Sequence, residues 1–536
     1  MRVKVAELPF ESVDSWIEKQ RAKLEDARDQ VSLVSFVKKE RESLARRAKP
    51  LEGVSLMRKY TGLMDLVIAR LLDVAVLEAE KEAPPGSAGL QIAVAATGGY
   101  GRGELCPFSD IDVVFIAEDD ESPGLDAVVR RMFHLIMDVF LSGVKLKVGY
   151  SYRQPDQLLG LLHETQTALL DARRLAGSEM LFQRFQSALR DSIDPLEFLR
   201  RNRAHREQAR QRFGQSPHRV EPNIKEGAGG LRDIHTARWA AQVAFGVSGE
   251  RAFEELHAQG ALTDLELSQA VAALDFLSGL RNALHLSSGR GNDALTVERQ
   301  EAVPAKISFP KDLSSADLLM RSYYTHAENV DYLLAKILDF CDEQRIVIEP
   351  GIVAKRGILY VEAAVEPKSI TRIIGYAQHY RLALAQNAQD AIRHTLLLQP
   401  VEVDRESQRR FFNSLSDPQV SNTLTQIARI GALQWILPEF ADLMHLLPGD
   451  AAHEHTVGEH SLQVARNLDA LKRDEDEEIR GIFADIKDRR TLFLAGLLHD
   501  VGKTNSNGNH AELGAVTAEA AAKRIGMPDE DAAKVG

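Results

Sequence analysis

The chain has 536 residues, enough for three or four domains, and its apolar content of 44% and charged content of 27% are those of a soluble globular protein. Its net charge of −12 disfavours a nucleic-acid ligand, because duplex binders rely on a basic surface. Two cysteines are too few for a disulfide framework and favour a cytoplasmic location, and we predict neither a membrane span nor a signal peptide.

The first part of the chain predicts helices followed by a small α/β domain. Residues 1–85 are rich in Lys, Glu, Arg, Ala and Leu, with apolar residues at helical spacing. The Pro-, Gly- and Ser-containing cluster at 83–89 predicts a linker. Residues 86–176 predict strands at "LQIAVAAT", "DIDVVFIAE" and "VKLKVGYSYR", with a helix from Leu125 to Gly143.

The rest of the chain predicts mostly helices. Helical patterns dominate 177–342, and the connecting region 343–400 contains a short β-prone patch from Ile346 to Val365. Residues 401–536 are helical again and end inside a helix without a C-terminal cap, which we interpret as a truncation. The predicted fold class is therefore a multidomain α+β protein that is mostly α-helical and has a small mixed sheet.

The stretch "TGGYGRGELCPFSDIDVVF" (97–115) predicts a nucleotide site. Gly98 and Gly99 allow the backbone to approach a triphosphate closely. Asp110 and Asp112 project from one face of a strand, where paired carboxylates can hold Mg²⁺ or Mn²⁺ for a phosphoryl transfer. The alternative is a glycine-rich turn with two solvated acids. The P-loop lysine is absent, and no helix opens after the glycines as in the dinucleotide fingerprint.

A second candidate site lies near the C-terminus. His460 lies in "HTVGEHSL", and the adjacent His499 and Asp500 lie in "LLHDVGK". Imidazole and carboxylate ligands suit a divalent transition metal that activates water for hydrolysis. Lys503 lies four residues past His499 and could meet a phosphate, and His510 is a candidate further ligand. The alternative for each of them is a surface or helix-capping side chain.

Three motifs, taken in order, resemble one family. "GGYGRGEL…SDIDVVF", "EPNIKEGAGGLRD" and "HTVGEHSL…LLHDVGK" are similar to the bacterial PII uridylyltransferase/uridylyl-removing enzymes, from about residue 90 to the end. The middle motif makes the resemblance specific, because the other two occur in many enzymes. The resemblance implies a polymerase-β-like nucleotidyltransferase domain, a helical region completing its site and an all-α HD domain that is incomplete. It implies transfer of UMP from UTP to a tyrosine of the PII protein and its hydrolytic removal.

The resemblance also assigns residues. It implies that Asp110 and Asp112 bind the metals at the transferase site and that His460, His499 and Asp500 hold the hydrolytic metal. For UTP, the candidate contacts are Gly98 and Gly99, Arg102 and Ser109, and Lys225 and Arg232 in the loop 223–233. The alternative for this loop is a glycine-rich connection between helices. We expect no membrane and no nucleic-acid partner.

The sequence departs from the family pattern in three places. A third carboxylate is expected on "KLKVGYSYR", but Gly149 stands there, so we consider Asp171 as its substitute or else a strand-end acid. The last aspartate of an HD site would lie beyond Gly536. The ACT domains through which the family senses glutamine are missing, so no response to glutamine is expected.

Two other functions remain open at this point. A tRNA CCA-adding nucleotidyltransferase can also carry an HD domain, but it would show an Arg-Asp pair soon after Gly-Gly and a basic body. A regulatory module that binds nucleotide without catalysis would account for the missing third carboxylate.

Overall fold

The structure is a computed structural model that describes residues 10–25, 27, 29–82, 92–118, 123–303, 315–398, 402–447, 455–504 and 510–536. The chain forms two compact units, 1–342 and 343–536. Both are mostly helical and each contains one small sheet, which confirms the predicted fold class. The linker predicted at 83–89 lies outside the described residues. The finer domain boundaries stay predictions.

The helices of the first unit are α1 (Phe10–Leu24), α2 (Gln30–Arg47), α3 (Val54–Glu82), α4 (Gly98–Gly101), α5 (Pro123–Ile136), α6 (His163–Leu170), α7 (Glu179–Ser192), α8 (Pro195–Phe213), α9 (Leu231–Phe245), α10 (Ala252–Ala258), α11 (Asp264–Ser288), α12 (Val297–Ala302) and α13 (Ser315–Asp342). A π-helical segment, Met137–Gly143, continues α5 to the glycine at which the sequence predicted an end. A short 3₁₀ turn, Gly249–Arg251, precedes α10.

The sheet of the first unit contains β1 (Ile92–Ala96), β2 (Ile111–Ala117), β3 (Val148–Arg153) and β4 (Arg173–Gly177) in the order β3-β2-β1-β4. The three strands predicted from the sequence are β1, β2 and β3. β1 is antiparallel to β2 and β4, and β3 runs parallel to β2. The register pairs Asp112 with Gly149.

The two faces of this sheet bury different cores. Ile111, Val113 and Phe115 of β2 belong to the core formed with α3 and α5. Val114 and Ile116 belong to the core on the other face, formed with α7 and Trp239 of α9. Because side chains alternate along a strand, Asp112 shares the second face, at the start of its apolar run.

Helix α11 begins and ends where its sequence provides caps. Thr263 accepts a hydrogen bond from the Glu266 amide and Glu266 accepts one from the Thr263 amide, forming a capping box. Gly289 ends the helix in the left-handed region at φ 64°. The last turns of α11 carry Arg281 and His285 to the candidate site.

The helices of the second unit are α14 (Pro367–His379), α15 (Gln386–Leu398), α16 (Arg405–Ser414), α17 (Val420–Arg429), α18 (Ala432–Ile436), α19 (Pro438–Leu443), α20 (Val457–Ala470), α21 (Glu477–Asp485), α22 (Arg489–Leu498), α23 (His510–Arg524) and α24 (Asp529–Val535). Two 3₁₀ turns, Leu471–Arg473 and Val501–Thr504, lie between them. The sheet, in chain order, is β5 (Ile346–Glu349), β6 (Ile352–Lys355), β7 (Ile358–Val361) and β8 (Ala383–Leu384).

Candidate active sites in the two units

A cavity of about 990 Å³ opens in the first unit. Its wall includes the turn at Gly98 and Gly99, the acids Asp110 and Asp112, and parts of the loop 223–233 and of α6, α8 and α11. Eight basic and six acidic side chains line it, so the cavity is locally basic although the chain is acidic. Its volume lies at the upper end of the range for ligand pockets, which suits a nucleotide together with its acceptor.

The glycine turn lies directly against the second acid. Gly98 has φ +54°, a conformation that favours glycine, and a Cβ there would lie 3.9 Å from Oδ2 of Asp112. The amide of Thr97 donates to the carbonyl oxygen of Asp112 at 3.0 Å. The turn and the acid are therefore held together by the backbone.

Asp110 and Asp112 form a pair of carboxylates at the cavity wall. Asp110 is exposed and precedes β2 by one residue, and Asp112 is half-buried inside the strand. Among the ion pairs of the described residues, none within 4.0 Å involves either acid. Burial raises the pKa of Asp112, the charge of Asp110 raises it further, and Lys225 lowers it. Two such oxygen donors beside an open cavity fit Mg²⁺ or Mn²⁺.

The place for a third carboxylate is filled by Gly149. This residue lies beside Asp112 on the parallel strand β3, and a Cβ there would overlap Oδ1 of Asp112. An aspartate or glutamate at position 149, expected as the third carboxylate, would therefore displace the Asp112 carboxylate. The glycine that departs from the family pattern therefore allows the Asp112 carboxylate to keep this position.

Asp171 does not replace the third acid. It lies between α6 and β4, and its side chain is 1% exposed. Its Oδ2 forms an ion pair with Arg102 and accepts a hydrogen bond from Nε1 of Trp239 at 3.0 Å. Asp171 is also absent from the cavity wall that Asp110 and Asp112 share. The structure thus argues against Asp171 as a metal ligand and gives it a structural role.

Arg102 and Ser109 line the cavity as predicted, but both already have protein partners. The Arg102 guanidinium binds Asp171 and Glu104 and lies over the Trp239 ring at 5.9 Å from its centroid. The Ser109 hydroxyl accepts a hydrogen bond from the Cys106 amide at 3.0 Å. Both residues therefore shape the cavity wall in the absence of a ligand.

The loop 223–233 brings Lys225 and Arg232 to the cavity. Arg232 pairs with Glu226 at 2.9 Å and lies over the Trp239 ring, and Nζ of Lys225 is 3.8 Å from Glu226. Burial lowers the pKa of Lys225, as do Arg281 and Arg232. Two partly exposed cations that share one acid leave net positive charge facing the cavity, which suits a phosphate.

In the second unit, His460, His499 and Asp500 form a possible metal site. Each offers a ligand atom, and these atoms lie within 4.8 Å of one another. Gly496 lets α22 pack closely on α20, because a Cβ added at this position would lie only 3.0 Å from the Leu468 side chain of α20. Nδ1 of His499 lies 2.9 Å from the carbonyl oxygen of Gly496, which directs Nε2 toward Asp500. The donor set and its geometry fit a divalent transition metal.

Lys503 and His510 lie next to this group but not as predicted. Helix α22 ends at Leu498, so Lys503 does not continue its face and lies in the turn Val501–Thr504. Its Nζ donates to Oδ2 of Asp500 at 2.8 Å. His510 starts α23 with Nδ1 3.3 Å from the carbonyl oxygen of Gly502, and the three-residue group does not include it.

Family models match both regions that carry these sites. Residues 197–338 match the model described as GlnD PII-uridylyltransferase, and residues 457–535 match that of the HD domain. A region similar to the GlnD PII-uridylyltransferase model is thus followed along the chain by a region similar to the HD-domain model. The loop 223–233 lies inside the first match and His460, His499 and Asp500 inside the second.

Several proteins named bifunctional uridylyltransferase/uridylyl-removing enzyme are similar to the chain. That of Caulobacter vibrioides is 30% identical over 514 residues, covering 89% of this chain and 54% of the relative. Those of Phenylobacterium zucineum and Burkholderia lata are 29% and 28% identical, covering 89% and 92% of this chain and 54% and 58% of the relatives. The chain thus spans little more than half the length of these relatives.

None of the described helices combines the length and apolar character that a bilayer crossing requires.

A buried network beneath the cavity of the first unit was not predicted from the sequence. Glu104 binds Arg102 at 2.9 Å, His235 at 2.7 Å and Arg238 at 2.8 Å. Burial alone would raise the pKa of Glu104, but His235, Arg102 and Arg238 together hold it well below its usual range. The glutamate follows the glycine turn directly, so "GRGEL" contained a signal. Only the fold shows that α9 supplies two of its three partners, His235 and Arg238.

The anchor of the loop 223–233 in the GlnD region was also missed. Asp233 is fully buried and forms an ion pair with Arg206, accepts from Arg210 at 2.8 Å and accepts from the Gly229 amide at 2.7 Å. Arg206 donates in turn to the carbonyl oxygens of Glu226 and Gly227 at 2.9 and 2.7 Å. These bonds fix the loop on α8 and hence the positions of Lys225 and Arg232.

A third set of cavity residues comes from α11 and the segment after it. Arg281 pairs with Asp293 at 2.7 Å, and Nε2 of His285 lies 3.5 Å from the same carboxylate. Burial would raise the pKa of Asp293, but His285 and Arg281 hold it well below its usual range. The carbonyl oxygen of Asp293 also accepts from the Ile224 amide at 2.9 Å, which ties this segment to the loop 223–233.

Proposed function

We propose that the first unit transfers UMP from UTP to a tyrosine of the PII signalling protein and that the HD domain removes it by hydrolysis. The observation that carries the proposal is the carboxylate pair Asp110 and Asp112, which shares one cavity with Lys225 and Arg232. The names of the relatives support the two activities and their reaction type. The cytoplasmic location that the two cysteines favour belongs to the same proposal.

The transferase step follows from the cavity wall. Asp110 and Asp112 would hold the divalent ions, Gly98 and Gly99 would let the triphosphate lie close to the backbone, and Lys225 and Arg232 would bind its outer phosphates. When bound, the ions neutralise phosphate charge. The phenol oxygen bonds to the α-phosphorus as the bond to the leaving pyrophosphate breaks, and the phenol proton is released.

The hydrolase step belongs to the second unit. His460, His499 and Asp500 would hold a divalent transition metal, which activates water when bound. The Lys503 ammonium group lies beside Asp500, where it would contact the phosphate of a uridylylated tyrosine. Regulation by glutamine would need the ACT domains that the resemblance implies and stays outside this proposal.

A transfer assay with labelled UTP and PII protein tests the first activity. The double variant Asp110→Asn plus Asp112→Asn should lose labelling by about a thousandfold or more, because transition-state charge would lack its metal ions. Asp191→Asn is the matched control, since Asp191 is exposed at the end of α7. If the double variant labels PII as well as the wild type does, the transferase assignment fails.

The same variants separate catalysis from mere nucleotide binding. A regulatory module would bind UTP without Mg²⁺ or Mn²⁺ and would never label PII. Calorimetric titration of UTP with and without Mg²⁺ should show that the metal strengthens binding in the wild type and in Asp191→Asn, but not in the double variant. Metal-independent binding in the wild type would favour the module.

A further inference from the structure

Strand β3 is the edge of the first sheet and begins at the transferase acids. The Ile111 amide donates to the carbonyl oxygen of Lys147 at 2.9 Å, and Ile111 pairs with Val148. In a parallel ladder of this register, residues 147, 149 and 151 bond to β2. The peptide N–H and C=O groups of Val148 and Tyr150 therefore point away from the sheet. Within the described ranges, β3 has no strand neighbour besides β2.

The far end of this edge already has a partner. Nη1 of Arg153 donates to the carbonyl oxygen of Tyr152 at 2.8 Å. A side chain that covers an edge carbonyl is one means by which proteins block strand addition. The open part of the edge is therefore short, and it lies at the end nearest to Asp112.

On the face of β3 that lies beside Asp112, residue 149 is a glycine and carries no side chain. The Asp112 carboxylate lies over Gly149, and Gly149 has no Cβ. A strand added outside β3 would lie about 5 Å farther out. A tyrosine on that strand, on the face of Gly149, could reach across this spacing toward the Asp112 carboxylate without meeting a β3 side chain.

The open edge is continuous with the cavity. Lys145, Leu146 and Lys147, which lead into β3, line the cavity that contains Asp110 and Asp112. A peptide held on Val148 and Tyr150 would thus enter at the mouth of the nucleotide site, with its tyrosine beside the metal acids.

We propose that the edge of β3 at Val148–Tyr150 binds the tyrosine-bearing segment of the acceptor protein as an added strand and that Gly149 leaves the path for its tyrosine. Strand addition gives affinity through backbone hydrogen bonds, so it recognises an extended backbone of many sequences. The proposal rests on the proposed transferase function, because it names how that site receives its protein substrate.

Two variants at one position test the edge itself. Tyr150→Pro removes an outward N–H and is tolerated by an edge strand, whereas Tyr150→Ala keeps that N–H and removes the ring that packs on Phe133. The probe is PII protein whose acceptor tyrosine is replaced by phenylalanine, and binding is measured by calorimetry in the presence of Mg²⁺ and UTP. We expect binding at least tenfold weaker for Tyr150→Pro and within twofold of wild type for Tyr150→Ala.

The outcomes distinguish this proposal from the proposed function. Wild-type affinity in Tyr150→Pro, an equal loss in Tyr150→Ala, or no binding by the wild type would overturn the edge proposal. A wild type that binds the probe at this edge but never transfers UMP to intact PII would overturn the transferase function alone.

Hydrogen exchange supplies a measurement that needs no variant. Amide exchange at Val148 and Tyr150 in the wild-type chain should slow at least tenfold when the probe is added, because their N–H groups gain acceptors. Unchanged exchange at both amides would overturn the edge proposal even if Tyr150→Pro failed to fold.

Discussion

The carboxylate of Asp112 lies over the backbone of Gly149 on the neighbouring parallel strand, in space that a Cβ at residue 149 would occupy. If the first unit transfers UMP as proposed, Gly149→Ala should lower the kcat/KM of that transfer about 100-fold, because the alanine Cβ would displace Asp112, the proposed metal ligand, by about an ångström. Ser151→Ala, two residues along the same strand, should leave the rate within twofold. A Gly149→Ala enzyme with wild-type kcat/KM in the labelled-UTP assay would show that the Asp112 position is not critical.

Removing the anchor of the loop 223–233 should destabilise the first unit. Asp233→Ala leaves the buried Arg206 guanidinium without its counter-charge, which typically costs about 3–5 kcal/mol. Urea denaturation followed by tryptophan fluorescence would report the loss, since Trp239 lies beside this loop. Asp331→Ala removes a partly exposed partner of Arg210 and should cost about 1 kcal/mol or less. Equal midpoints for the two variants would contradict the anchor role.

Glu104 should make stability depend on pH in a defined direction. The folded-state pKa of Glu104 lies well below its value of about 4.5 in the unfolded chain. Its contribution is therefore fully present above pH 4.5 and is lost as the pH falls from there through the folded-state pKa.

The matched test compares Glu104→Gln with Glu118→Gln at neutral pH and below pH 4.5. Glu118 pairs with Arg184 at the surface, so its loss should change the unfolding midpoint little at any pH. Glu104→Gln should lower the midpoint at neutral pH and flatten its decline in acid. A decline as steep as that of the wild type would assign the acid sensitivity to other groups.

The proposed metal site of the second unit should bind a divalent metal more weakly when one of its three grouped residues is removed. We expect His499→Ala and Asp500→Ala to weaken divalent-metal affinity by about 100-fold or more, since changing a residue that only supports a ligand already costs about 10–100-fold. Metal content after dialysis measures the effect. His510→Ala should retain the metal, because His510 lies outside the group. A loss as large as that of His499→Ala would instead make His510 a ligand, as the sequence pattern suggested.

Local spacing determined the parts of both sites that lie within a few residues of each other. Asp-x-Asp at the start of an apolar strand placed Asp110 and Asp112 together, and adjacent His499 and Asp500 gave two members of the proposed metal site, because strand and helix geometry fixes such neighbours. Composition and periodicity also predicted a mostly helical chain with a small sheet.

The tertiary structure decided every partner that is distant in the sequence. It paired Asp171 with Arg102 and Trp239 and not with Asp110 and Asp112, and it brought His235 to Glu104. It also turned Gly149 from a missing carboxylate into the space that Asp112 occupies. No local pattern contains these outcomes, because burial and the pairing of buried charges depend on which helices and strands pack together.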